Sequence, residues 1–287
     1  MNSRKQVLAG VVLSFIAGVC LSTGGIAIRL VESADGFQIL FYRALTLFIG
    51  MGLFLLWQHG RRLAAAVVAI GWPGALVSLA LGSGAICYVI AVLHTSVANT
   101  VVILSTSPLL TAGLGWLLFR QRADRKTLLA SAAALSGVSI MVVDGLDSGG
   151  LTGMFIAFIA AGSYAVMLII MQRHRGRDLL PATALSGLVT MAVAWLAVDS
   201  LQIGGHDLAI SIFLGSFQFG LGFALITVAA RYIDAPTVAL LTLSEVILAP
   251  LWVWIGVDET PTPLGLLGAS VVFAAVLAQA LSARGLK

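Results

Sequence analysis

Apolar residues come in runs of about 20 along this chain, separated by short charged or Gly/Pro-rich connections. At 1.5 Å rise per residue, a helix of about that length crosses a hydrocarbon core about 30 Å thick. A spanning barrel would instead alternate apolar and polar positions in strands of about ten residues. The runs predict ten helical spans, over residues 7–28, 37–57, 67–93, 97–119, 127–143, 151–171, 181–198, 209–230, 235–257 and 263–281. The first follows Arg4 and Lys5. It is longer than a signal-peptide core and lacks a small-x-small cleavage site, so it is expected to stay as a span.

The cations test this division independently. With ten spans and the amino terminus inside, Arg4, Lys5, Arg61, Arg62, Arg120, Arg122, Arg125, Lys126, Arg173, Arg175, Arg177, Arg231, Arg284 and Lys287 share one side. Of the 16 Lys and Arg residues, Arg29 and Arg43 alone fall at or towards the other side. That is a strong positive-inside signal, and adding or removing one span scrambles it. The opposite connections carry Glu32, Asp35, Asp144, Asp147, Asp199, Asp207, Asp258 and Glu259. Both termini are therefore expected in the cytoplasm, with the protein multi-pass in a bacterial-type cytoplasmic (inner) membrane.

Composition removes the main alternatives. With 60% apolar residues, 10% charged and a mean hydropathy of +1.06, an ordinary soluble domain is excluded. The pI of about 9.4 comes from loop charges and does not indicate nucleic-acid binding. Cys20 and Cys87 lie within spans without metal-ligand spacing, and no cofactor or metal is expected.

The glycine-rich connection 144–150 is midway along the chain and divides it into halves, 1–145 and 146–287, of five spans each. An odd number of spans per half inverts the second half relative to the first. The expected fold is thus an all-α integral membrane protein, two inverted five-helix repeats around a central cavity. Phe15-Ile16-Ala17 matches Phe158-Ile159-Ala160. A gapless alignment of the fourth and fifth spans on the ninth and tenth pairs Leu110 with Leu248 and Trp116 with Trp254. The same alignment sets Ser107-Pro108 opposite Glu245-Val246, mid-span in both. Such halves can exchange conformations and open one midplane site alternately to each side.

Glu245 lies ten residues into the run 235–257, roughly 15 Å deep. An acid at that depth is a functional candidate by default, for a substrate ammonium or a coupling proton, against the alternative of a protonated structural acid. Pro108 removes a backbone hydrogen bond beside Ser107, either exposing carbonyls to a wet cavity or kinking the helix for packing. Tyr164 and Tyr88 offer aromatic surface, Gln218 and Ser244 offer polar groups near the midplane, and Pro250 lies close beyond Glu245. Gly82 and Gly84 are expected to let helices approach closely. Arg43, about 9 Å inside the outer boundary, must snorkel outward or find an acid or carbonyls, a structural or gating role. His94, Thr95, Ser96 and Asn99 form a polar turn at the outer side, where Thr95 or Ser96 can cap a helix.

Phe41-Tyr42-Arg43, the segment Ala91-Val92-Leu93-His94-Thr95-Ser96, Ser107-Pro108 and Gly256-Val257-Asp258-Glu259 carry a resemblance. The chain resembles the ten-span EamA-type branch of the drug/metabolite transporter superfamily over its whole length. The resemblance implies a cavity lined by spans 1, 3, 4, 6, 8 and 9, and export of small metabolites, amino acids among them. Val246 departs from the proline common at that position, and His94 from an aromatic.

The expected function is a secondary transporter exporting small, partly apolar metabolites, most plausibly amino acids including aromatic ones, by alternating access. A drug or cation exporter of the same fold, an intramembrane enzyme and a pore are the alternatives. HExxH, GxSxG and a histidine cluster are absent from the sequence, which argues against an enzyme. No Walker loop is present for a pump, and no charged ring or carbonyl filter for a channel. The expected partners are a small-molecule substrate and the bilayer. The pattern sets no oligomeric state and is compatible with a monomer.

Overall fold

The computed structural model describes residues 3–94, 100, 103–120, 124–142, 151–257 and 263–284. Every regular element among them is helical. In the first half these are α1 (Ser3–Arg29), α2 (Gly36–His59), α3 (Leu63–Ala69), α4 (Gly71–His94), α5 (Ser107–Phe119) and α6 (Arg125–Val142). The second half has α7 (Leu151–Arg173), α8 (Leu180–Ala197), α9 (Gly205–Phe213), a π-helical segment Leu214–Leu221, α10 (Gly222–Ala229), α11 (Ala235–Thr242), α12 (Ser244–Val257) and α13 (Pro263–Arg284). Thr95, Ser96, Asn99, Arg122, Asp258, Glu259, Lys287 and the connection 144–150 lie outside the described residues.

The ten expected spans correspond to α1, α2, α4, α5, α6, α7, α8, the continuous α9–α10 column, the α11–α12 column and α13. Seven helices among the described residues are long and apolar enough to cross a membrane. Two further apolar helices, Ser107–Phe119 and Leu266–Gln279, are shorter. The third span begins at Gly71 rather than at residue 67. Gly71 has φ +57°, which separates the short α3 from α4.

Helix ends sort by charge. At one end Asp178 pairs with Arg231 at 2.6 Å and lies 3.7 Å from His59, and Arg175 donates to the Ile233 carbonyl. Burial lowers the Arg175 pKa from its ordinary value, and the nearby Asp234 opposes that shift. The start of α1 is at this end too, since Gly10 abuts Tyr232 and Ile233. So is the tail of α13, where Gln279 Nε2 donates to Thr127 and Thr237 at 2.8 and 2.9 Å. At the opposite end Asp207 accepts from Glu32 N, Ser33 N, Ser33 Oγ and Ala34 N at 2.9–3.0 Å. There Asp35 and Gln38 form a capping box on α2. Gln38 Nε2 also donates to the Ser200 and Gln202 carbonyls, and Tyr42 to that of Leu201. Hence α1 runs from the basic to the acidic end, while α7 ends beside the basic cluster and runs the other way. The halves are inverted.

The packing repeats under that exchange. The contact of α4 with α7 has its counterpart in α9–α10 with α1. Likewise α4 with α8 corresponds to α9 and the π segment with α2, and α5 with α7 to α11–α12 with α1. Three interfaces map onto themselves: α2 with α8, α5 with α11, and α6 with α13. Trp116 and Trp254, paired in the sequence alignment, are similarly exposed, at 47% and 45%, where lipid would surround the bundle.

Candidate functional site

The ninth span breaks where Glu245 sits. Helix α11 ends at Thr242, Leu243 forms a tight turn, and Val246 N donates back to the Leu243 carbonyl at 3.0 Å. The fourth span breaks at the aligned position. Ser105 and Thr106 form its turn, Thr106 N donates to Ile103 O at 3.0 Å, and α5 starts with Ser107 and Pro108. Pro108 lacks an N–H, so a helix start accommodates it where a continuous helix would lose a bond. The ninth span breaks without a proline at Val246; Pro250 lies inside α12, and its side chain is outside the described residues. Because α5 and α11 pack on each other, the two breaks are brought together.

Glu245 occupies the first turn of α12, where the helix dipole favours a carboxylate. Protein atoms surround it deeply, yet it keeps accessible surface, so that surface faces the interior of the bundle. Among the described residues, no donor or cation bonds or pairs with its carboxyl group. Three residues earlier, the end of α11 is tied to Tyr164 on α7. Tyr164 shares a 3.1 Å hydrogen bond with Thr242 Oγ1 at the end of α11. Thr242 in turn donates to Ala239 O at 2.8 Å.

Beyond Tyr164 the aromatic surface continues into the eighth span. Phe223 meets Tyr164 edge-on at 6.1 Å, and Phe219 lies 4.3 Å from Phe223. Arg43 of α2 places its guanidinium 4.4 Å above the Phe219 ring and is only 8% exposed. Of the three ways expected for a deep arginine, snorkelling, an acid or carbonyls, no ion pair with an acid is found among the described residues. The π segment explains how it is accommodated. Its Gly215 packs directly on α2, and a Cβ there would overlap Thr46 Oγ1 and the Arg43 carbonyl. Wide turns of this kind recur at functional sites.

Helix α1 closes the other side. Gly18 lies against Ser244 Oγ and the Thr242 carbonyl, leaving no room for a side chain. Gln218 Nε2 donates to Leu21 O at 3.2 Å, and Trp252 Nε1 to Ser22 Oγ at 2.8 Å. Two buried polar atoms here, Ser244 Oγ and Gln218 Oε1, have no partner among the described residues. Ser107 is buried at the break, and its carbonyl accepts from Thr111 Oγ1 at 2.7 Å.

The fold therefore gathers Glu245, Ser244, Tyr164, Gln218, Ser107, Pro108 and Tyr88 around the broken spans and the helices packed on them. Gly82 and Gly84 stand apart as packing positions. A Cβ on Gly82 would press Val189 and the Ser186 carbonyl of α8, whereas Gly84 faces Ser163 of α7 at ordinary contact distance. Of the other aromatics, Trp195 and Phe217 point outward. Sequence reasoning missed Phe223 and Thr242 as site residues; the i,i+4 spacing of Phe219 and Phe223 was the available signal. A groove of about 480 Å³ lined by Trp72, Phe119, Arg173 and His174, among others, lies near the basic end and includes none of these candidates.

The sequence profile of the EamA-like transporter family matches this chain twice, over residues 8–143 and 148–279. The chain belongs to the EamA-like transporter family. Two matches in succession also make it a two-repeat member, in agreement with the exchanged interfaces. A solved crystal structure covers 97% of this chain and 98% of its own, with a TM-score of 0.80 at 18% identity, and so shares the fold. No curated protein matches. As an EamA-like protein the chain is a multi-pass membrane transporter of the drug/metabolite type, with its helices embedded in lipid.

Proposed function

We propose that this EamA-like protein exports amino acids and related small metabolites, apolar and aromatic ones included, by alternating access. In this reading residues 1–145 and 146–287 act as the two exchanging units. The observation that carries the reading is Glu245: an interior carboxylate with no counter-ion among the described residues, set at a double helix break close to Tyr164. A buried acid without a partner is costly unless something it binds offsets the cost. A substrate ammonium does so, with Tyr164 and Tyr88 adding cation–π attraction and apolar surface. Gln218, Ser244 and Ser107 supply hydrogen-bonding groups around it. Pro108 and Pro250 loosen the broken spans, and the close packing at Gly82 and Gly84 guides helix movement.

The basic end, which holds the start of α1 and the tail of α13, is assigned to the cytoplasm by the positive-inside rule. In this reading both termini face the cytoplasm across a bacterial-type inner membrane.

Purified protein in liposomes preloaded with labelled amino acid should show saturable, competable counterflow without ATP. Flux that never saturates would indicate a pore, chemical change of the solute an enzyme, and absence of any amino-acid counterflow would remove the substrate assignment.

A further inference from the structure

The groove near the basic end takes no part in a site built on Glu245. Helices α4 and α5 both pack on α7 without a substantial interface of their own, which leaves a furrow along α7 between them. Its volume is about 480 Å³. From Val166 to His174 it follows α7 for about 12 Å. Leu76 of α4, Leu118 of α5 and Ile169 of α7 are among its apolar lining. Among the described residues, Arg173 and His174 are the only ionisable ones that line it.

Both stand where α7 ends, at the basic end of the bundle. Arg173 reaches towards α5, with its guanidinium 5.8 Å from the centre of the Phe119 ring, and His174 meets the Trp72 ring of α4 edge-on at 5.2 Å. Arg120 directly follows Phe119, and the Arg177 guanidinium lies against Gly71, the neighbour of Trp72. Among the described residues, no acid pairs with Arg120, Arg173 or Arg177.

Trp72, Leu76 and Leu118 are exposed, so the furrow opens on the face that lipid surrounds. An apolar furrow there takes up hydrocarbon in preference to water. Tryptophan and arginines at its end mark the level of the headgroups. Unpaired cations at that level, set between helices on the positive side, favour an anionic headgroup over a zwitterionic one. We propose that the furrow binds one anionic phospholipid, with an acyl chain along α7 between α4 and α5 and the phosphate on Arg173 beside His174. Arg120 and Arg177 add attraction from either side. The site is independent of what the protein transports.

Native mass spectrometry of the purified full-length protein tests this, after delipidation and titration with dioleoyl phosphatidylglycerol or dioleoyl phosphatidylcholine. Wild type should bind the first phosphatidylglycerol about tenfold or more tightly than phosphatidylcholine, the scale of a charged hydrogen bond. Arg173→Gln should lose most of that preference. Arg61→Gln, at the same end but outside the furrow, should keep it. Leu118→Trp, which fills the acyl seat from an exposed position, should weaken phosphatidylglycerol binding. Equal binding of the two lipids by wild type overturns the proposal. So does an unchanged preference in Arg173→Gln, or an equal loss in Arg61→Gln, which would indicate attraction to the basic end at large. Full phosphatidylglycerol affinity in Leu118→Trp would show headgroup adsorption alone and remove the furrow. If Arg173→Gln cannot be purified folded, the wild-type pair of titrations and Leu118→Trp decide.

Discussion

The carboxyl group of Glu245 and the hydroxyl group of Tyr164 separate two kinds of importance. Among the described residues nothing bonds the Glu245 carboxyl group, so Glu245→Gln is expected to leave the fold intact. It should lower the initial rate of counterflow about tenfold or more, the scale of a lost charged hydrogen bond. Size-exclusion profile and flux measured together check this, and an unchanged rate would remove the acid from the mechanism. Tyr164 does have a partner, Thr242, at 3.1 Å. Tyr164→Phe should therefore destabilise by about 1 kcal/mol, no more, because Thr242 keeps its bond to Ala239. Thermal unfolding in detergent measures it. Glu245 was legible in the sequence because an acid interrupting an apolar run is conspicuous. Arg43 was visible too, but its setting was not: nothing in the order of residues says that Phe219, on a distant helix, lies under its guanidinium.

At the scale of the helix, close approach is written in glycines but not equally in all of them. Gly215 abuts Thr46 and the Arg43 carbonyl, whereas Gly162 in α7 has nothing within 4 Å of where its Cβ would be. Gly215→Val is expected to lower stability by about 1–3 kcal/mol or more through overpacking. Gly162→Ala is expected to be neutral or to stabilise by up to about 1 kcal/mol, from helix propensity alone. Thermal unfolding of the two variants side by side distinguishes them; equal losses would contradict the packing described. The two breaks show what pattern can and cannot reveal. Pro108 marks the first openly, and alignment at a fixed offset carries it to Glu245-Val246. The π segment left no such mark, because a wide turn at residues 214–221 arises from the fit of Gly215 against α2 and not from a residue with special backbone geometry. The turn at Ser105 and Thr106 in the fourth span is hidden for a related reason: the apolar run continues through it and hydropathy does not register it.

For the whole molecule, charge sidedness and the odd number of spans per half led correctly to an inverted two-repeat bundle. Basic connections cluster around Asp178 and Arg231, and acidic ones around Asp207 and Gln38. The proposed orientation in the cell rests on this charge asymmetry and can be checked directly. A cysteine introduced at Gln202 should react with a membrane-impermeant maleimide on intact cells. One at Arg62 should react only after permeabilisation, and the reverse pattern would invert the assignment. The native Cys20 is buried and Cys87 half-buried, so the background should be low.

The self-mapping seams have a mechanical corollary. If the halves trade shapes, a lesion where α4 meets α7 tilts the resting balance towards one face of the membrane. Its mirror lesion, where α1 meets α10, tilts it towards the other. A lesion at α2 with α8 or α6 with α13 has no mirror elsewhere and weighs on both orientations alike, changing how firmly the bundle holds together without choosing a side.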